Sequence, residues 1–172
     1  MSCGVEGVEG EYGPGMLGLS ELDGEDIVAP TPTAPTPTPL PSIAGIRISS
    51  VSAGCGFNAA ISAACTVYTW GEGYKGRLGH GDEERSIVRK QVQALAVHRV
   101  LSVATGYCHC LAVTERGEIF SWGWDMYRQC GHGSSADHQL LPRRVEALAD
   151  VRARSASAGY YHSLVVTEEG AL

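Results

Sequence analysis

Val51-Ser52-Ala53-Gly54-Cys55-Gly56-Phe57, Val103-Ala104-Thr105-Gly106-Tyr107-Cys108-His109 and Ala156-Ser157-Ala158-Gly159-Tyr160-Tyr161-His162 are three versions of one string. Their glycines, Gly54, Gly106 and Gly159, recur with a period of about 52 residues, and other landmarks keep that register. Trp70-Gly71 and Trp122-Gly123 follow 16 residues after the first two glycines, and the doublets Leu78-Gly79-His80-Gly81 and Cys130-Gly131-His132-Gly133 lie 52 apart. A fixed period of this length denotes stacked or circularly arranged modules, none of which buries its apolar face alone.

Inside a unit the apolar residues come in short alternating runs separated by turns, the pattern of antiparallel strands. The reading for the central unit is a strand from Val100 to Ala104, a break at Gly106, and a second strand from His109 to Thr114 with Leu111 and Val113 on one face. Glu115-Arg116-Gly117-Glu118 follows as a hairpin turn whose glycine takes positive φ. A third strand runs from Ile119 to Trp122, and Arg143–Leu148, preceded by Pro142, supplies a fourth. Four short antiparallel strands per unit describe a propeller blade, so the expected class is all-β, a partial β-propeller of four-stranded antiparallel blades with about three blades present. The repeats divide as 51–102, 103–155 and an incomplete 156–172 within a repeat region of 42–172.

Before the first full unit, residues 1–30 read as an N-terminal tail and the end of a divergent repeat, with Gly15-Met16-Leu17-Gly18 laid over Gly76-Arg77-Leu78-Gly79 at a shift of 61. The nine extra residues match Thr31-Pro32-Thr33-Ala34-Pro35-Thr36-Pro37-Thr38-Pro39, a Thr/Pro-rich insert spanning 31–41. Its prolines fix φ and remove amide donors, so it reads as an extended polyproline-like surface loop ahead of a strand from Ile46 to Val51. Thr31, Thr36 and Thr38 each precede a proline and offer phosphorylation sites that would switch a partner contact. At the other end Gly170-Ala171-Leu172 falls inside a hairpin turn, with a third strand and its Trp-Gly pair still to come. Half a unit, two whole units and the start of another are too few for a ring, so further blades or self-association are expected to cover the open edges.

The 22 glycines suit a turn-dense β protein. A formal charge of −6 argues against a sequence-independent grip on nucleic acid, although Lys and Arg scattered through 75–99 leave room for a local basic face. Residues 1–30 lack the basic start and apolar run of a signal peptide, and no stretch is long enough to span a bilayer as a helix. Six cysteines, at 3, 55, 65, 108, 110 and 130, fall at non-matching repeat positions, which reads as reduced thiols in the cytosol or nucleus.

The strings Val51-Ser52-Ala53-Gly54, Tyr68-Thr69-Trp70-Gly71, Gly76-Arg77-Leu78-Gly79-His80-Gly81 and Gly106-Tyr107-Cys108-His109 resemble the repeats of the regulator of chromosome condensation family, here as a partial copy. The resemblance covers roughly residues 10–172, most closely 51–133. It implies a seven-bladed β-propeller used as an interaction platform. The founding member is a guanine-nucleotide exchange factor for the small GTPase Ran that docks on nucleosomes, whereas other members serve in ubiquitin ligases, kinases, ciliary proteins and trafficking regulators. The partner classes implied are therefore a small GTPase or a ubiquitin-pathway protein, with no cofactor. The chain departs from the pattern where Phe57 replaces the histidine of His109 and His162, where Ala64-Cys65-Thr66 replaces the turn glycine of Gly117 and Gly170, and where Glu9 takes the place of the tryptophan. The exchange wedge of the founding member has no counterpart here.

Two sets of residues emerge. Gly54, Trp70, Gly71, Gly79, Gly81, Gly106, His109, Trp122, Gly123, Gly131, Gly133, Gly159 and His162 are structural repeat positions, because a residue that recurs once per blade fixes the packing of that blade. Cys108 and Cys110 flank His109 but alternate with it along a strand, so the three cannot converge on a metal, and the paired spacing of structural zinc is absent. Partner contacts are expected on the variable loops: Asp82, Glu83, Glu84 and Arg85, whose equivalent is Ser134-Ser135-Ala136-Asp137, and Trp124, Asp125 and Arg128, where Trp124 breaks the repeat as an aromatic anchor. No nucleophile elbow, phosphate loop or dinucleotide fingerprint is present, and no catalytic residue is assigned. The function expected is a protein–protein interaction module, regulatory or scaffolding; the alternative is a guanine-nucleotide exchange factor for a Ran-like GTPase.

Overall fold

The computed structural model describes residues 45–133 and 136–171; the stretch overlaid on the repeat at 15–18, the Thr/Pro-rich insert, and Ser134 and Ser135 lie outside them. Ten strands follow in order: β1 (Ile48–Ala53), β2 (Phe57–Ser62), β3 (Val67–Gly71), β4 (Ser86–Gln91), β5 (Val100–Thr105), β6 (His109–Thr114), β7 (Ile119–Trp124), β8 (His138–Arg144), β9 (Ala153–Ala158) and β10 (Ser163–Thr167). They form two four-stranded antiparallel sheets, β1-β2-β3-β4 and β5-β6-β7-β8, and a two-stranded sheet of β9 and β10. The all-β, partial-propeller reading of the sequence is therefore the observed fold.

The fourth strand lies earlier than the sequence suggested. Residues 138–144 form it with Pro142 inside, while Glu146–Leu148 makes a 3-10 turn. Proline is tolerated there because β8 is the outer strand of its sheet, and the pairing with β7 is interrupted between Ser121 and Gly123. Likewise β7 continues to Trp124, and β1 begins at Ile48 rather than Ile46.

Each sheet is buried by its neighbours. In β6 the alternation assigns Cys110 and Ala112 to a core shared with Phe57, Ile61, Val67, Leu78 and Trp122 of the first joint. Leu111 and Val113 go to the opposite side, with Ile119, Val145 and Ala153. Hence one strand serves two cores. The inner strands also touch: Ser52 and Thr105 hydroxyls lie 2.8 Å apart, and the Thr105 amide donates to Ser52 Oγ at 3.1 Å.

The repeated glycines set this spacing. A Cβ on Gly106 would lie 2.5 Å from the Gly159 carbonyl oxygen and 2.6 Å from His109 Nδ1, and one on Gly54 would lie 2.7 Å from the Gly106 oxygen and beside the Phe57 ring. Close approach rather than positive φ is thus the reason for Gly106. At the hairpin turns φ is the reason: Gly117 sits at +76°, and Cys65, its equivalent, is forced to +63° without the freedom of glycine.

Candidate protein-contact face

Strand pairing decides which loops share an end. His109 pairs with Gly123 and Gly123 with Gln139, so the loops 106–108 and 125–137 emerge together, as do 54–56 and 72–85 in the first sheet. The Glu115–Glu118 turn and the links between sheets lie at the opposite end.

Much of the expected chemistry at the joint end is structural. Trp122 is fully buried and donates from Nε1 to the Arg77 carbonyl at 3.0 Å, with Gly79 packed against its indole. Trp70 is also buried, but its Nε1 has no partner among the described residues; the residue equivalent to Arg77 in that register is Met16, outside them. Arg77 is held by its own side chain, which donates to the Tyr74 and Cys55 carbonyls at 2.9 and 2.6 Å and lies against the Phe57 ring.

His109 is buried with Nε2 3.0 Å from Ser163 Oγ. Ser163 spends its single hydroxyl proton on the Gln129 carbonyl at 2.7 Å, so His109 Nε2 is the donor and the ring is the neutral Nε2–H tautomer. Burial pushes its pKa down to about 4. A serine whose proton is committed elsewhere is not activated by that imidazole. The cysteines are equally inert: burial raises Cys108 to about 11 and lifts Cys110 and Cys130 still further, so all three stay thiols at neutral pH. Among the described residues no group of three or more His, Cys, Asp or Glu is placed to hold a metal.

A second repeated latch escaped the sequence reading. Thr69 Oγ1 donates to the Leu78 carbonyl at 2.7 Å and lies 3.1 Å from His80 Nε2; Ser121 Oγ donates to the Cys130 carbonyl at 2.6 Å and lies 3.0 Å from His132 Nε2. These hydroxyls fasten the long loop back onto the third strand of each sheet. Thr69 and Ser121 stand 52 residues apart, immediately before the tryptophans, which was the available signal.

The proposed contact residues divide. Asp82, Glu83, Glu84 and Arg85 lie on the first long loop at this end, where Arg85 pairs with Glu72 at 3.3 Å and Glu83 accepts from the Lys75 amide and approaches His138. Trp124 is half-buried at the mouth of the second sheet and Arg128 is exposed. Asp125, however, is 1% exposed; its Oδ1 accepts from the Cys130 amide at 2.8 Å, so it braces its loop rather than meeting a partner.

Around Trp124 the structure assembles four tyrosines that sequence reasoning missed. Tyr107 stacks on Tyr160 with ring centroids 4.0 Å apart, and Tyr161 meets Tyr160 edge-on at 4.3 Å. Trp124 meets Tyr161 and Tyr127 nearly perpendicularly at 5.6 and 5.5 Å. Tyr127, Tyr160 and Tyr161 remain 55, 52 and 41% exposed. The hydrogen bond with Tyr107 holds the Tyr160 phenol above its ordinary pKa, so it stays protonated. Gly106-Tyr107 and Gly159-Tyr160 occupy equivalent positions, yet in sequence those strings read only as repeat landmarks.

Blades that bury one another and carry an exposed aromatic cluster on the loops at one end define a repeat-built partial β-propeller. The regulator of chromosome condensation (RCC1) repeat matches residues 66–113 and 116–166, with a second form of the repeat matching 100–129, and the chain belongs to that family. It is 36% identical over 158 residues to the ultraviolet-B receptor UVR8 of Arabidopsis thaliana, covering 92% of this chain and 34% of that protein. Identity to the human E3 ubiquitin-protein ligase HERC2 is 37% over 123 residues, or 72% of this chain and 2% of the ligase. Among solved structures, human WBSCR16 superimposes with a TM-score of 0.69 at 26% identity, covering 73% of this chain and 32% of that one. The chain thus spans about a third or less of each of these proteins.

Proposed function

We propose that this chain is a protein–protein interaction module, regulatory or scaffolding and without chemistry of its own, that meets its partner through the tyrosine face and the neighbouring Asp82–Arg85 loop. The observation that carries this is the cluster of Tyr107, Trp124, Tyr127, Tyr160 and Tyr161, three of them largely exposed on loops held by a rigid frame. Tyrosine and tryptophan supply large contact area with a polar tip at small entropic cost, and they dominate the energetics of protein interfaces. Similar repeats occur in a ligase and in a light receptor, which supports reading the repeat as frame and its loops as the source of partner choice. A nuclear or cytoplasmic protein of the GTPase or ubiquitin systems is the partner class proposed.

The test is site-directed photocrosslinking in cells. A crosslinking amino acid at Tyr160 should yield a discrete adduct that Tyr127→Ser abolishes, while the same group at Arg116, on the opposite end, yields none. Adducts from position 116 and none from 160 would reverse the assignment. Catalytic amounts of the protein should leave nucleotide release from Ran unchanged; acceleration would establish the exchange-factor alternative instead.

A further inference from the structure

We propose that the cavity between the second and third sheets is a tryptophan-binding site, which takes the indole of a partner polypeptide whose extended Phe-x-Trp-Gly segment pairs with β10.

The chain carries a template for this site one unit earlier. At the first joint Trp122 donates from Nε1 to the Arg77 carbonyl at 3.0 Å and packs so closely on Gly79 that a Cβ there would fall 2.7 Å from Nε1. Its strand partner Cys110 donates to the same carbonyl at 3.5 Å. The positions equivalent to Arg77, Gly79 and Cys110, 52 or 53 residues on, are Gln129, Gly131 and Ser163. Ser163 Oγ donates to the Gln129 carbonyl at 2.7 Å, which leaves that oxygen its second lone pair. Gly131 keeps the backbone of Gly79, with φ at +74° against +75°, yet a Cβ on it would meet only Val145 Cγ1, at 3.3 Å. Where the first joint is filled by an indole, the second is a cavity.

Its size and walls suit the same group. The volume is about 280 Å³, and Leu111, Ile119, Val145, Leu148 and Val165 supply apolar lining. An apolar cavity of about 150 Å³ already holds benzene, so this one admits the larger two-ring indole. The acceptor on the Gln129 carbonyl matches a side chain whose polar chemistry is a single N–H donor. Gln129 Nε2 is itself buried without a partner among the described residues, a donor left for the carbonyls of an incoming strand.

The adjoining strand edge fixes how the indole arrives. Among the described residues β10 pairs with β9 alone, whereas β2 and β6 are flanked on both sides. In the second sheet His109 faces Gly123, Cys110 faces Trp122 and Ala112 faces Phe120. Carried to β10, that register sets glycine opposite His162, tryptophan opposite Ser163 and the earlier aromatic opposite Val165. Glycine is needed after the tryptophan because a Cβ on Gly123 would run into the Cys108 carbonyl, and Tyr161 stands in the place of Cys108 beside β10. Strand addition of this kind draws affinity from backbone hydrogen bonds and specificity from pockets for alternate side chains. A second copy of this chain has no tryptophan to give without opening a sheet, since Trp70 and Trp122 are buried and Trp124 lies in the ring cluster. Tyr127 and Tyr161 also line the cavity, so it adjoins the tyrosine face, but the inference rests on the joint and not on that face.

The experiment titrates the full ¹⁵N-labelled chain with a synthetic peptide of the Ile119–Gly123 sequence and with the same peptide carrying alanine for tryptophan. The first should shift the amides of residues 129–131 and 163–165 saturably at one-to-one stoichiometry, and the alanine peptide should bind at least tenfold more weakly. Val165→Phe, which fills the cavity from its own wall, should weaken the tryptophan peptide at least tenfold while the Trp122 indole N–H signal stays in place, showing that the fold is intact. No saturable shift, or equal affinity of the two peptides, overturns the proposal. Shifts centred on Arg77 and Gly79 would mean that the peptide exchanges for β7, and shifts at 129–131 that follow protein dilution without peptide would assign the joint to a second copy; either overturns it. A silent peptide beside an intact Tyr160 crosslink removes this inference alone, and a lost crosslink with the peptide shifts in place removes only the tyrosine contact face.

Discussion

Lowering the pH should loosen the joint between the second and third sheets through one side chain. His109 is buried as a neutral imidazole with its pKa pushed down to about 4, against an ordinary 6.5. A depressed histidine pKa means that the unfolded chain takes up a proton first, so this contribution is intact above pH 6.5 and is lost as pH falls toward 4. From those two values the loss between pH 7.5 and 5.0 is about 2 kcal/mol, approaching ~3 kcal/mol below pH 4. His80 and His132 are also depressed by burial, and carboxylates add their own slopes, so the term must be isolated by difference. His109→Phe serves, because Phe57 already fills the equivalent place beneath Gly54. Urea unfolding of both proteins at pH 7.5 and 5.0 should show the wild type losing about 2 kcal/mol more than the variant. Parallel losses would mean that the imidazole is charged or solvated in the native state, and the neutral Nε2–H assignment would fall with it.

Gly106→Val should destabilise the chain by about 3 kcal/mol or more in the same unfolding assay, since the new side chain collides with the Gly159 carbonyl and the His109 ring, and a wild-type melting curve would remove the close-packing account. Trp122→Phe removes the donor to the Arg77 carbonyl and leaves a void beside Gly79, an expected cost of about 2 kcal/mol. Ser121→Ala strands the Cys130 carbonyl and leaves His132 Nε2 only its 3.3 Å contact with the backbone oxygen of residue 121, for about 1–2 kcal/mol, seen as faster hydrogen exchange at the loop amides. Tyr127→Ser and Tyr160→Ser should each cost only about 1 kcal/mol, since the rings are half exposed but pack on neighbouring rings, while abolishing crosslinking to a partner.

Periodicity made the frame legible. Gly106, Trp122 and the Gly117 turn recur or alternate in ways that only a strand-turn-strand unit explains, and β6 begins and ends where its apolar alternation does. The fourth strand was misplaced because Pro142 looks like a boundary, whereas an outer strand with an interrupted ladder admits proline in its interior. Asp125 looked like a surface carboxylate beside an exposed aromatic, but only the folded loop shows the Cys130 amide that claims it. The tyrosine cluster was hidden for another reason: Tyr107, Tyr127 and Tyr160 come from three loops, and their meeting depends on the angle between sheets, which no local pattern encodes.

Because Leu111 and Cys110 belong to different cores though they are chain neighbours, the interval between two sheets, rather than the sheet itself, is the unit in which free energy is stored. Adding a blade to such an array contributes one more interval, and removing one strips two surfaces at once, so cooperativity must run sideways through the array and not along the chain. A partner that grips Tyr107 and Tyr160 together holds residues from both sides of one interval. Binding there would act as a clamp on the array, and the occupancy of a surface loop would be felt as the resistance of two sheets to parting.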